Sequence, residues 1–388
     1  VGVKVLVVAE YYPRAEDPVR GVWTHRQTLA AREAGAEVRV VVLHRPVPPL
    51  SSLRSRRLDR ALEPLRQPSS AELDGVPIRY VRYVSPPRPL SYGSWGAWAA
   101  PWLGRALRAV RDEFEFELIH AHYAVPAGDA VRRSARDVPL VVSVHGHDVQ
   151  GRRAGGPAVR TALAHADLVL ANSAGTADRS ARVGARATQV VHLGTDIPRQ
   201  PRPSPVRPTL VTVAHLAARK RHADVVSAIA LLRGRHPGLR YVIVGDGPER
   251  PRLESLAHSL VVDDLVEFRG QLGHQEALEA ARSATLFVMP SVEEAFGVAY
   301  VEAMAAGVPA IGCRGEDGPE EIVAAGGGIV LVPPEDVQAL AAQIDSLLRR
   351  PHELKRLGEQ ARETVGRAFT WERCGRETVE AYRRVLAR

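Results

Sequence analysis

The sequence predicts an α/β protein made of two domains with open parallel sheets, the second domain following the first along the chain. Three observations carry this. The chain has 388 residues, room for two or three domains at about 150 residues each. Short apolar runs alternate with segments of helical period in both halves, the pattern of strand–helix–strand units. Between the halves lie Pro198, Pro201, Pro203, Pro205 and Pro208, a density that no helix or central strand accommodates and that makes a stiff, extended linker.

The elements follow in order. An apolar strand over 3–9, a helix over 21–34 and a strand over 38–43 form the first unit of a parallel sheet. Strand-like runs at 78–84, 117–121, 140–144, 168–171 and 189–192 complete a first domain over 1–197. After the linker, 198–208, alternation restarts: strands at 210–214, 240–245, 266–270 and 285–289, helices at 223–233, 250–259 and 275–282. These belong to a second domain over 209–370. Helical periodicity returns at 337–348 and 370–386. Open sheets of this kind take ligands at the carboxyl ends of their strands, so two facing sheets enclose one cleft.

Composition narrows the function. Hydrophobic residues at 45% and charged residues at 25% describe a globular chain rather than a disordered one. Cys313 and Cys374 are the only cysteines, which excludes a disulfide framework or a four-thiolate zinc site and suits the reducing cytoplasm. No run approaches the apolar length of a membrane span, and the chain opens on Val1, as a processed or trimmed start does. The net charge of +8 fits an anionic partner. Only Lys4, Lys220 and Lys355 are lysines, so arginine carries that charge, as GC-rich codon usage also produces. The basic segment 45–60, with Trp95, Trp98 and Trp102 at a spacing that suits one helical face, is a surface suited to peripheral membrane contact at the inner face. The plainer alternative is tryptophans in a core or acceptor pocket and solvated arginines. No recognised module or stacking stripe accompanies the charge, so nucleic acid is not an expected partner.

Several chemistries lack their spelling. None of the lysines follows a glycine, so a Walker A loop is absent. Gly245-Asp246-Gly247 lacks the third glycine of the dinucleotide fingerprint, and neither a Gly-x-Ser-x-Gly elbow nor a His-Glu-x-x-His helix occurs. His120 and His122, with His145, His147 and Asp148, follow predicted strands and carry metal-ligand chemistry, but alternation along a strand end sets residues on opposite sides and weakens a shared metal site.

The most informative stretch runs from Pro290 to Pro309. A strand enters a turn holding Glu294, and a helix begins near Gly297, whose free first-turn N–H groups suit an anion. Glu302 lies five residues on, about 7–8 Å along the axis. Two carboxylates thus bracket an anion-binding helix end, a combination fit to grip sugar hydroxyls beside a phosphate.

Here the chain resembles the retaining nucleotide-sugar glycosyltransferases of family four, and the resemblance implies their α/β GT-B fold, two facing Rossmann-like domains with parallel sheets and an interdomain cleft. Glu294 and Glu302 match both ends of the family's Glu-x7-Glu motif, inside Ser291-Val-Glu-Glu-Ala-Phe-Gly-Val-Ala-Tyr-Val-Glu-Ala-Met-Ala-Ala-Gly-Val-Pro309. The resemblance implies that Glu294 contacts the donor sugar, Glu302 the ribose, and backbone groups of Phe296, Gly297 and Val298 the sugar and diphosphate. Val213-Ala-His-Leu-Ala-Ala-Arg-Lys220 is similar to the family's diphosphate-holding segment; Lys220 fits, His215 stands in the arginine position, and Arg219 is placed to compensate. Val242 to Pro248 resembles the glycine turn, and Glu267-Phe268-Arg269-Gly270 the strand end that meets the base. Gly21 takes the place of the amino-terminal glycine loop, with Arg20 where a paired glycine is usual. His145 matches the histidine that lies against the donor sugar, and the closing helix with Trp371 and Tyr382, over 371–388, looks like the family's return crossing onto the first domain.

The resemblance implies a hexosyltransferase-type enzyme of carbohydrate biosynthesis. It moves a sugar from a nucleoside diphosphate, UDP ahead of GDP, to a hydroxyl of a sugar, a lipid-linked carrier or a small metabolite. Glu294, His145 and Lys220 serve the front-face substitution. No cofactor or metal is expected where protein groups neutralise the diphosphate, the nucleotide sugar itself being a substrate. A UDP-sugar epimerase of the same fold, or a non-catalytic sugar-nucleotide or anionic-polymer binding protein, are the alternatives.

Overall fold

A computed structural model describes residues 2–14, 17–46, 65–86, 91–151, 154–199 and 205–388. It divides into two compact units, one of Val1–His192 with Cys374–Arg388, the other of Leu193–Arg373.

The first unit is an eight-stranded sheet. Its elements run β1 (Lys4–Ala9), α1 (Val22–Glu33), β2 (Glu37–His44), β3 (Ser70–Leu73), β4 (Val76–Arg82), α2 (Trp95–Glu113), β5 (Leu118–His122), α3 (Asp129–Ser134), β6 (Leu140–Val144), α4 (Pro157–His165), β7 (Leu168–Ala171), α5 (Ala174–Val183), β8 (Thr188–Val190) and, from the chain end, α13 (Trp371–Leu386). The strand order is β3-β4-β2-β1-β5-β6-β7-β8. All pairs are parallel except β3–β4, an antiparallel edge that a purely parallel expectation does not contain. Val5, Leu6, Val7 and Val8 are all buried, which is why β1 reads as a continuous apolar run rather than an alternating one: both faces of a central parallel strand are covered. The core gathers Leu6, Val8, Val41, Leu103, Ile119 and Val142. Close packing ties α13 to α1, where a Cβ added to Gly375 would lie 2.1 Å from the carbonyl oxygen of Ala30.

The second unit is a six-stranded, wholly parallel sheet of order β11-β10-β9-β12-β13-β14. Its elements are β9 (Thr209–Val213), α6 (His222–Leu232), β10 (Arg240–Val244), α7 (Arg250–Ser259), β11 (Val266–Gly270), α8 (His274–Arg282), β12 (Leu286–Val288), α9 (Val298–Ala305), β13 (Ala310–Cys313), α10 (Asp317–Ala325), β14 (Ile329–Val332), α11 (Val337–Leu348) and α12 (Pro351–Ala368). A separate core of Leu210, Ile229, Tyr241, Ile243, Leu286 and Ile344 fills it.

In each sheet the strand order reverses beside the first strand, between β1 and β5 and between β9 and β12. At such a switch point the loops leaving neighbouring strands diverge to opposite faces and open a crevice at the carboxyl ends. This places the functional residues.

The tryptophan spacing needs correction. Trp95 is buried in the core against Tyr83 and Tyr92, whereas Trp98 and Trp102 are 49% and 48% exposed, so the three do not share one environment. In the basic segment 45–60, only 45 and 46 fall within the described residues, and 200–204 of the linker lie outside them.

Candidate functional site

In the second unit the two loops flanking the switch point, after β9 and after β12, bring Lys220 and Glu294 together at 2.5 Å, with Arg219 3.8 Å from the same carboxylate oxygen. Ser291 Oγ donates to that oxygen at 3.0 Å. The Glu294 backbone N–H donates to Glu316 Oε2 at 2.7 Å, from the loop after β13. Burial pushes the Glu294 carboxyl up, but the charge and hydrogen bond of Lys220, with Arg219 and Ser291, outweigh it and leave its pKa below the usual range. Burial draws the Lys220 ammonium down against the pull of Glu294. The result is a nearly buried ion pair with a second cation close by, a charge arrangement ready for an anionic ligand.

The turn after β12 is shaped by backbone conformation. Gly297 has φ 82° at the amino terminus of α9, and a Cβ there would lie 2.5 Å from the Tyr300 ring. Tyr300 is itself locked by a hydrogen bond from its hydroxyl to the Met289 carbonyl. Gly318 comes so close to the Phe296 carbonyl that an added Cβ would sit 1.9 Å from its oxygen. The Phe296 side chain is buried and meets Phe369 at 5.5 Å, which leaves its backbone rather than its ring to a ligand. Glu302 stands on α9 with His274 3.8 Å away.

His215 is exposed and packs against the glycine turn, where a Cβ on Gly247 would lie 2.9 Å from its Cε1. Arg219, rather than His215, shares the charged pair. Phe268 lies 5.8 Å from the Arg250 guanidinium, and Arg269 is exposed and bonded to Glu267 at 2.8 Å.

The first unit holds the other two predicted residues. Gly21 has φ 71° and sits tight on Tyr11, whose carbonyl carbon would be 2.3 Å from an added Cβ. His145 follows β6, half-buried among rings: the His122 ring lies nearly parallel to it at 5.3 Å and 10°, Tyr123 lies at 4.9 Å and Trp23 at 6.3 Å. Burial, then His147, lowers its pKa to about 3, so the imidazole is neutral at pH 7. His120 and His122, two apart on β5, point to one side with ring centroids 4.4 Å apart, correcting the expectation of opposite sides. They do not converge on a metal: His120 is bonded to Tyr382 Oη (2.7 Å) and Ser143 Oγ (2.8 Å), and His122 to His145 (3.1 Å). Among the described residues no group of three or more His, Cys, Asp and Glu side chains is arranged to hold a metal.

Sequence reasoning missed Glu316 and His274, gave Ser291 no role of its own, and read His122 only as metal-ligand chemistry. Ser291 lies inside the informative phrase and was legible there. Glu316 reaches Glu294 across 22 residues, with no local signal.

Two doubly wound sheets, with a buried cation–carboxylate pair at a switch point, define an enzyme of the GT-B class. Residues 19–199 match the family described as Glycosyltransferase Family 4, and residues 195–364 match Glycosyl transferases group 1. The chain is 30% identical to a D-inositol 3-phosphate glycosyltransferase of Saccharomonospora viridis, covering 83% of each. It is 28% identical to a glycogen synthase of Mycobacterium tuberculosis, covering 98% of this chain and 94% of that one. Sucrose-phosphate synthase from Thermosynechococcus elongatus superposes with a TM-score of 0.79 at 21% identity over 99% of both chains. HepE of Anabaena, solved with UDP and glucose, does so with 0.71 at 19% over 98% of this chain and 100% of that one. The chain belongs to the family four glycosyltransferases, and it is a glycosyltransferase of carbohydrate biosynthesis.

Proposed function

We propose that the protein transfers a sugar from a nucleoside diphosphate sugar, UDP ahead of GDP, to a hydroxyl acceptor with retention of configuration. The observation that carries this is the Lys220–Glu294 pair with Arg219 at the switch point. The acceptor hydroxyl forms the new bond to the anomeric carbon on the face from which the diphosphate leaves, and the departing phosphate oxygen takes the hydroxyl proton. Lys220 and Arg219 stabilise the negative charge that grows on the diphosphate, which is why no metal is required in this reading. Glu294 exchanges its partners for sugar hydroxyls and opposes the positive charge developing on the ring. Glu302 holds the ribose, Gly21 offers backbone to the diphosphate, and His145, neutral, serves the donor sugar as a hydrogen-bonding group. The names of the relatives support a saccharide or cyclitol acceptor. HepE was solved in complex with UDP and glucose, which supports UDP.

The test is a thermal-shift series with UDP, GDP and their glucose and mannose conjugates, followed by product analysis. At 100 times its Kd, a ligand of the native state adds about 2.7 kcal/mol of stability. A melting point raised by GDP and not UDP overturns the base assignment; a β-linked product from an α-linked donor overturns retention. Activity abolished by chelator and restored by a divalent ion overturns the metal-free reading.

Trp98 and Trp102, exposed on α2 with the Arg105 guanidinium 5.5 Å from the Trp102 ring, support peripheral contact with anionic lipid. No helix among the described residues is long and apolar enough to cross a membrane. Co-sedimentation with anionic vesicles that W98A/W102A does not reduce would overturn that contact.

A further inference from the structure

We propose that His122 is a positioning residue: one hydrogen bond from it fixes the ring orientation and tautomer of His145, so that His145 offers Nδ1–H to a hydroxyl of the donor sugar. This rests on the reading of His145 as a donor-sugar contact.

The geometry is that of a built pair. His122 is fully buried at the end of β5, and its Nδ1 lies 3.1 Å from His145 Nε2 with the rings nearly parallel. Behind it, His120 is held by hydroxyls on both nitrogens, Tyr382 of α13 and Ser143 of β6, and its ring lies 4.4 Å from that of His122. On the other side Tyr123 sits at φ 73° and ψ 140°, a backbone conformation that costs a non-glycine residue about 1–3 kcal/mol, and it lays its ring 4.9 Å from His145. The His145 ring is thus set from several directions, but among the described residues only His122 bonds its nitrogen.

Two nitrogens are left buried without a partner, His122 Nε2 and His145 Nδ1. Burial leaves both rings neutral, so each carries one proton. If His145 donated Nε2–H to His122, the His122 proton would sit on Nε2 as a buried, unpaired N–H. If His122 donates Nδ1–H to His145, its Nε2 is an unused lone pair and the unpaired N–H is His145 Nδ1–H, so either arrangement leaves one buried N–H without a partner. Leaving a buried donor unmade costs about 1–3 kcal/mol, and a ligand can relieve that cost on the half-buried His145 but not on the fully buried His122. The second arrangement is therefore the one a bound donor sugar favours. It puts the His145 proton on Nδ1, the atom with no partner in the protein, where a sugar oxygen can accept it.

The test compares H122F, which keeps a flat ring of similar size but no bond, with H122N, whose amide occupies the Nδ1 position. We expect kcat to fall about tenfold or more in H122F, the loss of one buried hydrogen bond in the transition state, with donor KM within about twofold and H122N recovering most of the rate. H122F/H145A should be no slower than H145A. In ring-nitrogen NMR of the whole chain with UDP-glucose bound, His145 should show the Nδ1–H tautomer, becoming mixed in H122F. A parental rate in H122F beside a slow H145A, singles whose losses multiply in the double variant, or a proton on His145 Nε2 would each overturn the proposal. Full turnover in H145A would instead remove the reading of His145 on which the catalytic half rests. The NMR signal then still decides whether His122 sets the tautomer.

Discussion

At the scale of single residues, the chemistry concentrates in Glu294. Its carboxylate holds Lys220, Arg219 and Ser291, so E294Q loses the charge while keeping the volume. Turnover should fall about 100-fold or more, because the lost interaction is strongest when charge develops on the sugar, while nucleotide affinity measured by calorimetry changes within a few-fold. Glu302 should behave oppositely: E302Q weakens nucleotide binding with a smaller effect on turnover. Equal losses in both variants would mean that the two acids do not divide the work. Both acids were legible in the sequence because their spacing and the glycine between them are local. Their partners were not. Glu316 approaches Glu294 only because β12 and β13 are neighbours in the sheet, and His122 meets His145 only because β5 and β6 are.

Elements succeed or fail to announce themselves according to what their glycines do. The helix over 351–368 went unread, since Gly358 and Gly366 look like breakers and its mean pattern is polar. In the fold, Gly358 is a contact: a Cβ there would lie 2.4 Å from the Gly307 carbonyl oxygen, where α12 packs on the turn after α9. G358A should therefore lower the melting temperature although alanine favours helices, and G366A, with open space around it, should leave it unchanged or raise it. If G358A is neutral in a thermal melt, α12 does not sit as described. The start of α9 was legible, by contrast, because glycine is the residue that takes the observed φ of 82° without strain. G297A meets both that strain and the Tyr300 ring and should cost stability and activity together.

For the molecule as a whole, burial of imidazoles sets the response to acid. His120 and His145 are lowered to about 3 and His222 to about 4, chiefly by burial, and His122 well below its usual value. In the unfolded chain they take up protons below about pH 6.5, while the native protein does not. Stability present above pH 6.5 is therefore lost as pH falls toward the native values, by up to about 1.4 kcal/mol per pH unit for each. Asp148 works the other way. Burial raises it to about 7, so its contribution is complete below the unfolded value of 3.8 and is lost as pH rises through 7. Four groups against one leave a net loss in acid, and the melting temperature should drop steeply between pH 6.5 and 5. H222L, which removes a buried ring with both nitrogens unpartnered, should flatten that slope. An unchanged slope in H222L would show that His222 titrates normally.

What the sequence by itself determined was whatever is local in the chain: the alternation that makes two parallel sheets, the turn chemistry at Gly297, and the Glu-x7-Glu spacing that marks the family. Tertiary structure alone decided which groups meet. The ion pair of Lys220 with Glu294, the clasp from Glu316 and the histidine pair of His122 with His145 all depend on strand order, and strand order follows from long-range burial rather than from any neighbouring residues. It also separated Trp95 from Trp98 and Trp102, because the side of a helix that faces a core is fixed by what the rest of the chain packs against it.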